Sequence, residues 1–327
     1  MDSEMFLIIN PNAKSGKTGK KLSKILPVIK EYLGDIEFEI TKGPQEEISI
    51  AKKAIERGYK TLLSLGGDGT ASNIGDVLVE NPEVKLGIIS GGSMNDWGRT
   101  HSIPINLEKN LEVILECYSE TFPALKCSGD KTLYAFDHID GGFVAEAGAA
   151  AQHEAKWIKN GFLKYTYLAL KYVIKFKNVP VKIQIDDKEL IEVDDFSASV
   201  FGFSDSIAGF RILPGNSYYS RKNKDIGFVF ARGLKGIQRL QLLLKTSSGK
   251  HVNMKGVWLA RGKTITIESA RPLAWEAEGE IFNKTKTKVN ISYEDNALNL
   301  IVPRDREYID DFDENFYYKD FRALEKK

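Results

Sequence analysis

Apolar and polar positions follow a regular pattern in the first part of the chain. Up to about residue 125, short apolar runs alternate with longer segments whose apolar residues recur at helical spacing. The runs lie at 6–9, 36–41, 61–65 and 85–89, and the helical segments at 17–32, 46–57 and 71–79. Runs of this kind predict buried strands, and the segments predict amphipathic helices. Their alternation indicates βαβ units around a mainly parallel sheet, which binds ligands beyond the carboxyl ends of its strands.

The second part of the chain has a different pattern. Short runs with strand character follow one another, separated mostly by turn residues rather than by helices. They lie at 181–185, 197–201, 226–230, 263–268, 289–293 and 298–302. This succession predicts a β-sandwich-like domain or an irregular barrel. Between the two parts, 157–176 predicts one amphipathic helix that packs on the sheets and carries Lys164, Lys171 and Lys175.

The change of pattern sets the expected domain boundaries. We expect an α/β domain with helices on both faces of its sheet, a three-layer arrangement, over 1–126. A β-rich domain is expected over 127–303. The last segment, 304–327, mixes charged and aromatic residues and is predicted to pack back on the first domain.

Composition narrows the classes of partner. The 327 residues include 46 Lys and Arg against 45 Asp and Glu, a net charge of +1. This balance, with no stripe of basic and aromatic residues, argues against a nucleic-acid partner. Cys117 and Cys127 match no metal or redox spacing, which favours reduced thiols in a cytoplasmic protein. No apolar run approaches the roughly 20 residues that span a bilayer, so any membrane contact is expected to be peripheral, at the inner face.

The segment Gly66-Gly67-Asp68-Gly69-Thr70 is the most informative one in the sequence. It follows a predicted strand directly and precedes a predicted helix. Glycines let the backbone approach a phosphate closely, and the amides at a helix N-terminus favour an anion. Asp68 needs a cation beside a phosphate, so its expected role is to hold Mg²⁺. An isolated Gly-Asp-Gly is more often a tight turn, but the position between strand and helix favours the phosphate site.

Two further polar loops follow predicted strands. The first runs from Asn10 to Thr18, and its Gly16-Lys17-Thr18 is similar to a Walker A motif. The first glycine of that motif falls on Pro11, so we reject a Walker A loop and keep an anion-binding loop or a capped helix start. The other loop, 90–96, contains Gly91, Gly92, Ser93, Asn95 and Asp96. Three such loops at one edge of a parallel sheet predict a nucleotide phosphate site.

These loops together resemble the diacylglycerol kinase catalytic-domain family, specifically the bacterial soluble lipid kinases that are also similar to sphingosine kinases. The resemblance is carried by Asn10-Pro11 with Ser15-Gly16, by the 66–70 segment, and by 92–99, which is similar to the family's P-x-G-T-x-N-D-x-A/G-R. The combination is specific, whereas NAD kinases and phosphofructokinases share the glycine loop alone. The resemblance implies a phosphofructokinase-like nucleotide-binding domain followed by a β-sandwich-like one.

The resemblance also implies ATP and Mg²⁺ as cofactors. Asp68 would organise the metal, and twelve residues would surround the nucleotide. They are Asn10, Pro11, Ser15, Gly16, Thr41, Gly66, Gly67, Gly69, Thr70, Ser93, Asn95 and Asp96.

The catalytic carboxylate of the family lies in a D-G-E-like segment of the second domain. Here the matching stretch is Glu276-Ala277-Glu278-Gly279-Glu280, which makes Glu280 the expected general base and Glu278 a supporting carboxylate. Carboxylates this close repel one another, which raises the pKa of one of them. Without the resemblance, a solvated acidic turn explains the stretch equally well. The family's structural metal loop is altered at 221–227, so its metal site is either absent or rebuilt around Asp225.

The expected function is therefore an ATP- and Mg²⁺-dependent lipid kinase that phosphorylates a lipid hydroxyl, diacylglycerol or a related glycerolipid. A soluble-substrate kinase of the NAD-kinase type is the first alternative, and a non-catalytic nucleotide or lipid sensor is the second. The expected partners are the lipid and, peripherally, a membrane surface. A homodimer is one of the assemblies that the sequence leaves open.

Overall fold

The computed structural model describes residues 4–92, 95–151, 153–155, 157–158, 161–207 and 209–306, with only the backbone at 161, 162 and 165. Within these residues the chain forms two compact units. Unit 1 comprises 4–124 and 294–306, and unit 2 comprises 125–293.

Unit 1 is an α/β unit built on parallel strands. Its strands are β1 (Met5–Ile9), β2 (Glu37–Ile40), β3 (Thr61–Gly66) and β4 (Lys85–Ser90). Its helices are α1 (Ala13–Leu33), α2 (Glu46–Glu56), α3 (Asp68–Leu78), α4 (Asp96–Thr100) and α5 (Leu107–Glu116). The strand order is β4-β3-β1-β2, and every residue of the inner strand β3 is buried. A strand covered on both faces needs apolar side chains on both, which explains the continuous apolar runs. The α/β prediction is confirmed.

Unit 2 is rich in antiparallel strands. It contains β6 (Thr132–Ala135), β7 (His138–Gly142), β8 (Val179–Ile185), β9 (Ile191–Gly202), β10 (Ile226–Arg232), β11 (Val257–Gly262), β12 (Thr264–Ser269), β13 (Trp275–Ala277) and β14 (Glu280–Asn283). Strands β5 (Ser119–Ser128) and β15 (Lys288–Ile301) contribute residues to both units. From β14 the order is β13, β7, β9, β8, β12 and β15, and β10 pairs with both β9 and β11. The prediction of a β-rich second half is confirmed.

The core of unit 2 is aromatic. Phe201 stacks on Phe228 with ring centroids 4.9 Å apart, and Phe196 stacks on Trp275 at 6.3 Å. In β8 the buried residues alternate strictly with exposed ones, since one face of the strand packs on this core. Large rings that bury their full surface here contribute much of the hydrophobic stabilisation of the unit.

The helices of unit 2 differ from the sequence expectation. They are α6 (Phe143–Ala151), α7 (Gly161–Lys175), α8 (Asn216–Asn223) and α9 (Gly236–Thr246). Helix α7 is shorter than the predicted 157–176, and α6, α8 and α9 were not predicted. None of the helices in the described part of the chain is long and apolar enough to cross a membrane.

Strand β15 is one strand where the sequence predicted two. Its start pairs with β12, where Ile291 is opposite Ile265, and its end pairs in parallel with β4, where Leu300 is opposite Leu86. The polar residues at 294–296 lie within this strand, where Asn296 has a φ of 52°. Residues 294–303 therefore belong with unit 1, although the expected boundary placed them in the second domain.

The residues after β15 contact Tyr118 and the first part of β5. Arg304 stacks over the ring of Tyr118 at 4.7 Å, Arg306 over the ring of Phe122 at 4.8 Å, and Arg306 also pairs with Glu120. These contacts lie within unit 1. The rest of the predicted docking segment, 307–327, lies outside the described residues.

Candidate active site

The side chain of Asn10 joins the loop after β1 to the loop after β3. Its Nδ2 donates a hydrogen bond to Thr70 Oγ1 at 3.0 Å, and its Oδ1 accepts one from the amide of Asn12 at 3.0 Å. Its own amide donates to the carbonyl of Leu65 at 2.9 Å. A side chain that both donates and accepts is needed here, which explains asparagine at this position.

The start of α1 has an unusual backbone. Lys14, Ser15 and Gly16 have φ of 54°, 57° and 78°, three successive residues in the left-handed region. Two of them are not glycine and carry a conformational cost of about 1 kcal/mol or more each. A Cβ added at Gly16 would meet nothing within 4 Å, so there is open space beside this turn. Backbone strain of this kind is concentrated at functional sites. The strained start of α1 therefore agrees with the predicted anion-binding loop.

The glycine loops after β3 and β4 touch through their backbones. The amide of Gly91 donates to the carbonyl of Gly66 at 2.7 Å, and a Cβ at Gly92 would lie 2.6 Å from the Cα of Gly67. Gly66 is equally restricted, because a Cβ there would meet the side chain of Thr70 at 2.6 Å. Only glycine permits this packing. By contrast, a Cβ at Gly69 would meet nothing within 4 Å, which leaves the first turn of α3 open to an anion.

Asp68 lies at the centre of these loops. It is the first residue of α3, and its Oδ1 accepts a hydrogen bond from the amide of Trp97 in α4 at 3.4 Å. Asp96 is buried and accepts from Arg99 at 3.0 Å. Asn95 precedes α4 with φ 52°. The structure thus brings Asp68, Asn95 and Asp96 together at the carboxyl ends of β3 and β4.

The remaining predicted nucleotide residues have structural contacts in unit 1. Thr41 is buried, and its amide donates to the carbonyl of Ile9 at 2.8 Å. Pro11 accepts from the amide of Gly19 at 2.9 Å. Thr18, which was not predicted as a site residue, donates its hydroxyl to the carbonyl of Gly91 at 2.8 Å and so ties α1 to the third loop. Ser93 lies outside the described residues.

Unit 1 fits a triphosphate with Mg²⁺. The amides at the start of α3 and the open space at Gly16 and Gly69 suit phosphate oxygens. Magnesium is commonly held by one or two carboxylates together with substrate phosphates, which suits the half-buried Asp68. Within the described residues, no three His, Cys, Asp or Glu side chains come together as they would around a metal held by protein alone.

In unit 2 the predicted acidic stretch is a β-hairpin. Strands β13 and β14 are joined by Glu278 and Gly279, with φ of 50° and 91°, and Ala277 pairs with Glu280. Two successive positive φ values are typical of a tight two-residue hairpin turn. Glu278 Oε1 accepts hydrogen bonds from the amides of Phe136, at 2.7 Å, and Asp137. Glu278 therefore fixes the turn to the segment before β7.

Glu280 has a different environment from Glu278. Its side chain is 36% exposed and forms an ion pair with Lys131, which is 45% exposed. A solvent-accessible carboxylate on a short, well-paired hairpin is held in place by its backbone yet open to a substrate hydroxyl. This arrangement is compatible with the predicted role of general base, which stays a prediction.

The carboxyl groups of Asp140 and Glu276 both have raised pKa values. The two residues face each other across β7 and β13, and Asp140 is buried. Burial raises the pKa of Asp140 well above its ordinary value, and the charge of Glu276 raises it further. Burial also raises the pKa of Glu276, against the opposing effect of His138. The sequence predicted such a carboxylate in this stretch but did not point to Asp140.

His138, which was not predicted as a site residue, completes this buried group. Burial opposes its charged form, but the hydrogen bond to Asp137 at 3.2 Å and the charges of Asp137 and Asp140 outweigh burial and raise its pKa to about 9. Asp137 also accepts from Ser204 Oγ at 2.5 Å. On a strand, residues two positions apart lie on the same face. The spacing of His138 and Asp140 is therefore the feature of the sequence from which this pair could have been predicted.

Asp225, the predicted metal ligand, is engaged in an ion pair. Its Oδ1 accepts from Arg261 Nε at 2.9 Å and Nη2 at 2.5 Å, and Arg261 also donates to Asn216 at 2.8 Å. A metal at Asp225 would have to displace this guanidinium. The metal role of Asp225 stays a prediction, and the observed contacts are those of a structural ion pair.

Comparison with known proteins places these sites in a family. The model of the diacylglycerol kinase catalytic domain matches residues 4–127, which contain the three loops. The model described as the YegS C-terminal NAD kinase beta sandwich-like domain matches 138–302, which contain the hairpin. The chain belongs to the diacylglycerol kinase family. It is therefore a kinase of the lipid kinase class.

Individual members of the family are distant in sequence. The diacylglycerol kinase of Staphylococcus epidermidis is 25% identical over 305 residues, 92% of this chain and 89% of its own length. That of Staphylococcus carnosus is 24% identical over 280 residues, 84% and 87% of the two chains. A diacylglycerol kinase structure from Bacillus anthracis superposes with a TM-score of 0.65 at 17% identity, covering 92% and 97%. Yeast NADH kinase in complex with NADH shares the fold more loosely, with a TM-score of 0.51 at 10% identity over 95% and 86%.

Proposed function

We propose that the protein transfers the γ-phosphoryl group of ATP to the hydroxyl of diacylglycerol or a closely related glycerolipid. The observation that carries the proposal is the meeting of three loops, after β1, β3 and β4, at one edge of the unit 1 sheet. This edge offers backbone amides, open space and the carboxylate of Asp68, the groups that a magnesium-bound triphosphate needs. The relatives named diacylglycerol kinase support the choice of lipid.

In this proposal, different groups of the chain hold the phosphates and the cation. The amides at the start of α3, together with Ser15 and Gly16, hold the phosphates, and Asp68 orients the cation. Bound Mg²⁺ supplies neutralisation of the charge on the transferred group. Phosphoryl transfer depends mainly on positioning and electrostatic stabilisation, so rigid loops are the main requirement. The contacts of Asn10 with Thr70 and of Thr18 with Gly91 provide that rigidity.

The acceptor hydroxyl must lose a proton as its oxygen bonds to phosphorus. Glu280 is the proposed acceptor of that proton, since its carboxylate is accessible and bound at a fixed position on the hairpin. Glu278 supports it by holding the turn through two backbone amides. Lys131 forms an ion pair with Glu280 and lies beside the proposed base.

The test is transfer of labelled phosphate from ATP to a panel of acceptors in mixed micelles with Mg²⁺. The panel contains diacylglycerol, phosphatidylglycerol, monoacylglycerol, sphingosine and NAD. We expect label in diacylglycerol or a close glycerolipid, and its loss in Asp68→Asn and Glu280→Gln. Glu268→Gln, an exposed carboxylate on β12, is the matched control. Label in NAD alone would replace the lipid with a soluble substrate, and ATP binding without any transfer would favour a sensor.

A further inference from the structure

The hairpin of β13 and β14, which contains Glu280, is attached to the sheet of unit 2 by a short pairing. Strand β14 is the last strand in the order, and β13 connects it to β7. Strand β13 has only three residues, and each is paired with a residue of β7. The three pairs are Trp275 with Gly141, Glu276 with Asp140, and Ala277 with Ile139. The two carboxyl groups are therefore the central pair of this attachment.

The opposite face of β13 is fixed by Trp275. Its side chain is 1% exposed, and a Cβ added at Gly141 would lie 2.5 Å from its ring. Because successive residues of a strand point to opposite faces, Trp275 and Glu276 lie on different sides of the sheet. The packed ring prevents β13 from sliding along β7. A force between the carboxyl groups of Glu276 and Asp140 therefore acts on the whole hairpin.

The carboxyl group of Asp140 needs a donor that the surrounding protein does not supply. Among the described residues, no donor forms a hydrogen bond with its buried Oδ1. A buried ionised carboxylate without a donor is costly. Directly opposite residues on antiparallel strands have Cβ atoms about 4.5–5.5 Å apart, so the carboxyl groups of Asp140 and Glu276 are within reach of each other. A proton on either group supplies the missing donor.

The cation beside the pair is His138. It lies on the same face of β7, two positions before Asp140, and its ring is hydrogen-bonded to Asp137 at 3.2 Å. A positive charge that is shared with Asp137 leaves Asp140 and Glu276 with a net negative charge unless they also hold a proton.

The other strands and helices around the pair add no further cation next to it within the described residues. On β9, Asp140 is opposite the uncharged Val200. Helix α6 packs on β13 and contains Glu146, which accepts from the amide of Ala274 at 3.3 Å and lies 3.8 Å from Arg271. The hairpin itself contains Glu278 and Glu280. Acidic groups therefore outnumber basic ones around the pair, which favours its protonated form.

The pKa values agree with this geometry. Burial raises the pKa of Asp140 well above its ordinary value, Glu276 raises it further, and His138 lowers it in part. Burial also raises the pKa of Glu276, which is lowered by His138 and raised by Glu280. Glu276 is thus electrostatically linked both to Asp140 and to the proposed base.

We propose that Asp140 and Glu276 hold one proton between them and thereby position the hairpin that contains Glu280. With the proton, one carboxyl group donates to the other and holds β13 against β7. Without it, two negative charges repel each other at the central pair, and the hairpin moves away from β7. Asp140 and Glu276 are positioning residues in this proposal, which rests on the proposed function in that Glu280 is the acceptor of the hydroxyl proton.

The test is the dependence of kcat on pH for transfer to diacylglycerol in mixed micelles, from pH 6 to pH 10. In the wild type, kcat should fall at alkaline pH and approach a tenfold loss per pH unit, as expected when about one essential proton leaves. Asp140→Asn and Glu276→Gln each remove one charge and supply an amide donor. Each should move the midpoint of this fall upward by about one pH unit or more. The two combined should add little, because they act on the same pair.

The control is Asp194→Asn, an exposed carboxylate of the same unit, which should follow the wild type. A structural defect alone would lower kcat at every pH without moving the midpoint. The proposal is overturned if the midpoint is unchanged in both Asp140→Asn and Glu276→Gln. If His138→Gln then moves it, the alkaline fall belongs to the imidazole and not to the pair.

A second measurement requires no kinase activity. Amide hydrogen exchange of the segment 275–283, followed by mass spectrometry over the same pH range, reports how firmly the hairpin is held. In the wild type, exchange should rise at alkaline pH beyond the increase seen in the rest of unit 2, and in Asp140→Asn this excess should disappear. Equal exchange in the two proteins would overturn the proposal.

Failure of this inference and failure of the proposed function are distinguishable. If phosphate is transferred to a lipid but the hairpin and kcat respond to pH equally in the wild type and the amide variants, the kinase proposal stands and the shared proton is excluded. If no acceptor is phosphorylated but hydrogen exchange of the hairpin depends on Asp140, the pair positions the hairpin and the kinase proposal fails.

Discussion

Asp140 and Glu276 face each other across paired strands of unit 2, with Asp140 only 6% exposed. The Glu276 carboxylate also packs against helix α6, where a Cβ added at Gly148 would lie 1.8 Å from its Oε2. Two carboxylates in so confined a place cannot both ionise without a large cost. The pair therefore holds a proton at pH values where ordinary carboxyl groups have lost theirs.

The first prediction concerns the effect of this pair on stability. A carboxyl whose pKa is raised in the folded protein binds more protons folded than unfolded, so stability falls as pH rises from about 4 toward the folded pKa. His138, with its pKa raised to about 9, acts in the same direction, since its contribution is full below about 6.5 and is lost as pH rises through 9. Asp140→Asn should therefore stabilise the protein by about 1 kcal/mol at pH near 8 and flatten the decline.

Denaturant unfolding at several pH values measures this effect. Asp194→Asn, an exposed carboxylate on β9 of the same unit, is the control and should follow the wild type. If the free energy of unfolding fell more steeply with pH in Asp140→Asn than in the wild type, the pair would be ionised in the folded protein.

The second prediction concerns the acid side of the stability curve. His251 is 1% exposed, and its Nε2 lies 2.9 Å from the carbonyl of Ile212. Burial lowers its pKa to about 4, so below about pH 6.5 the unfolded chain binds a proton that the folded one does not. Stability is thus lost as pH falls from about 6.5 to about 4.

The size of this loss follows from the linkage relation. From pH 7 to pH 5 the His251 contribution should fall by about 2 kcal/mol. Replacing His251 with Gln should reduce the dependence on pH in this window, whatever it does to stability at pH 7. The exposed His153→Gln is the control. If the free energy of unfolding depended on pH equally in His251→Gln and in the wild type, His251 would not be a buried neutral imidazole.

The phosphate loops could be predicted from sequence because their signals are local. Glycines, asparagine and aspartate stand directly between a strand pattern and a helix pattern, as at Gly66 and Asp68, and the topology of a parallel sheet brings strand ends together. The Asp140 and Glu276 pair could not be found in this way. Its two members lie far apart in the sequence, and only the order of strands β7 and β13 makes them neighbours.

The unpredicted helix α9 has a similar explanation. Its apolar residues lie on more than one side, with Leu242 buried but Ile237 and Leu244 exposed. Its apolar residues therefore cannot be assigned from the sequence to a single buried face, on which a helix prediction rests. Likewise, the pairing of Asp225 with Arg261 is a long-range contact that no spacing in the sequence reveals.

The third prediction separates two roles of glycine in the loops. Gly92→Ala would place a Cβ 2.6 Å from the Cα of Gly67, so we expect it to destabilise unit 1 by about 1–3 kcal/mol and to weaken ATP binding. Gly69→Ala meets no atom within 4 Å and has ordinary helical backbone, so stability should not fall. ATP binding should still fall, because the methyl group fills the space left for a phosphate. Calorimetric ATP binding and thermal unfolding together check both variants. Unchanged ATP binding in Gly69→Ala would show that the phosphates do not lie at Gly69.

The fourth prediction distinguishes the two carboxylates of the hairpin. Glu278 accepts two backbone amides, so Glu278→Gln should lower the free energy of unfolding by about 1–3 kcal/mol, because a charge-assisted acceptor is lost. Glu280 has only a half-exposed ion pair with Lys131, and its removal should change stability by less than about 1 kcal/mol.

The same two variants should rank the other way round in activity, with the larger loss of activity in Glu280→Gln. If Glu280 takes the hydroxyl proton, Glu280→Gln lowers kcat by about 10²–10⁴-fold while ATP binding is unchanged. Glu278→Gln should lose less activity at temperatures where it is folded. Lys131→Gln serves as a control for the ion pair, since it removes the cation but leaves the carboxylate. If kcat of Glu280→Gln is close to that of Lys131→Gln, the ion pair matters and Glu280 is not the base. The proton acceptor would then have to be sought at Glu276, which lies on the same hairpin and has a pKa raised by burial.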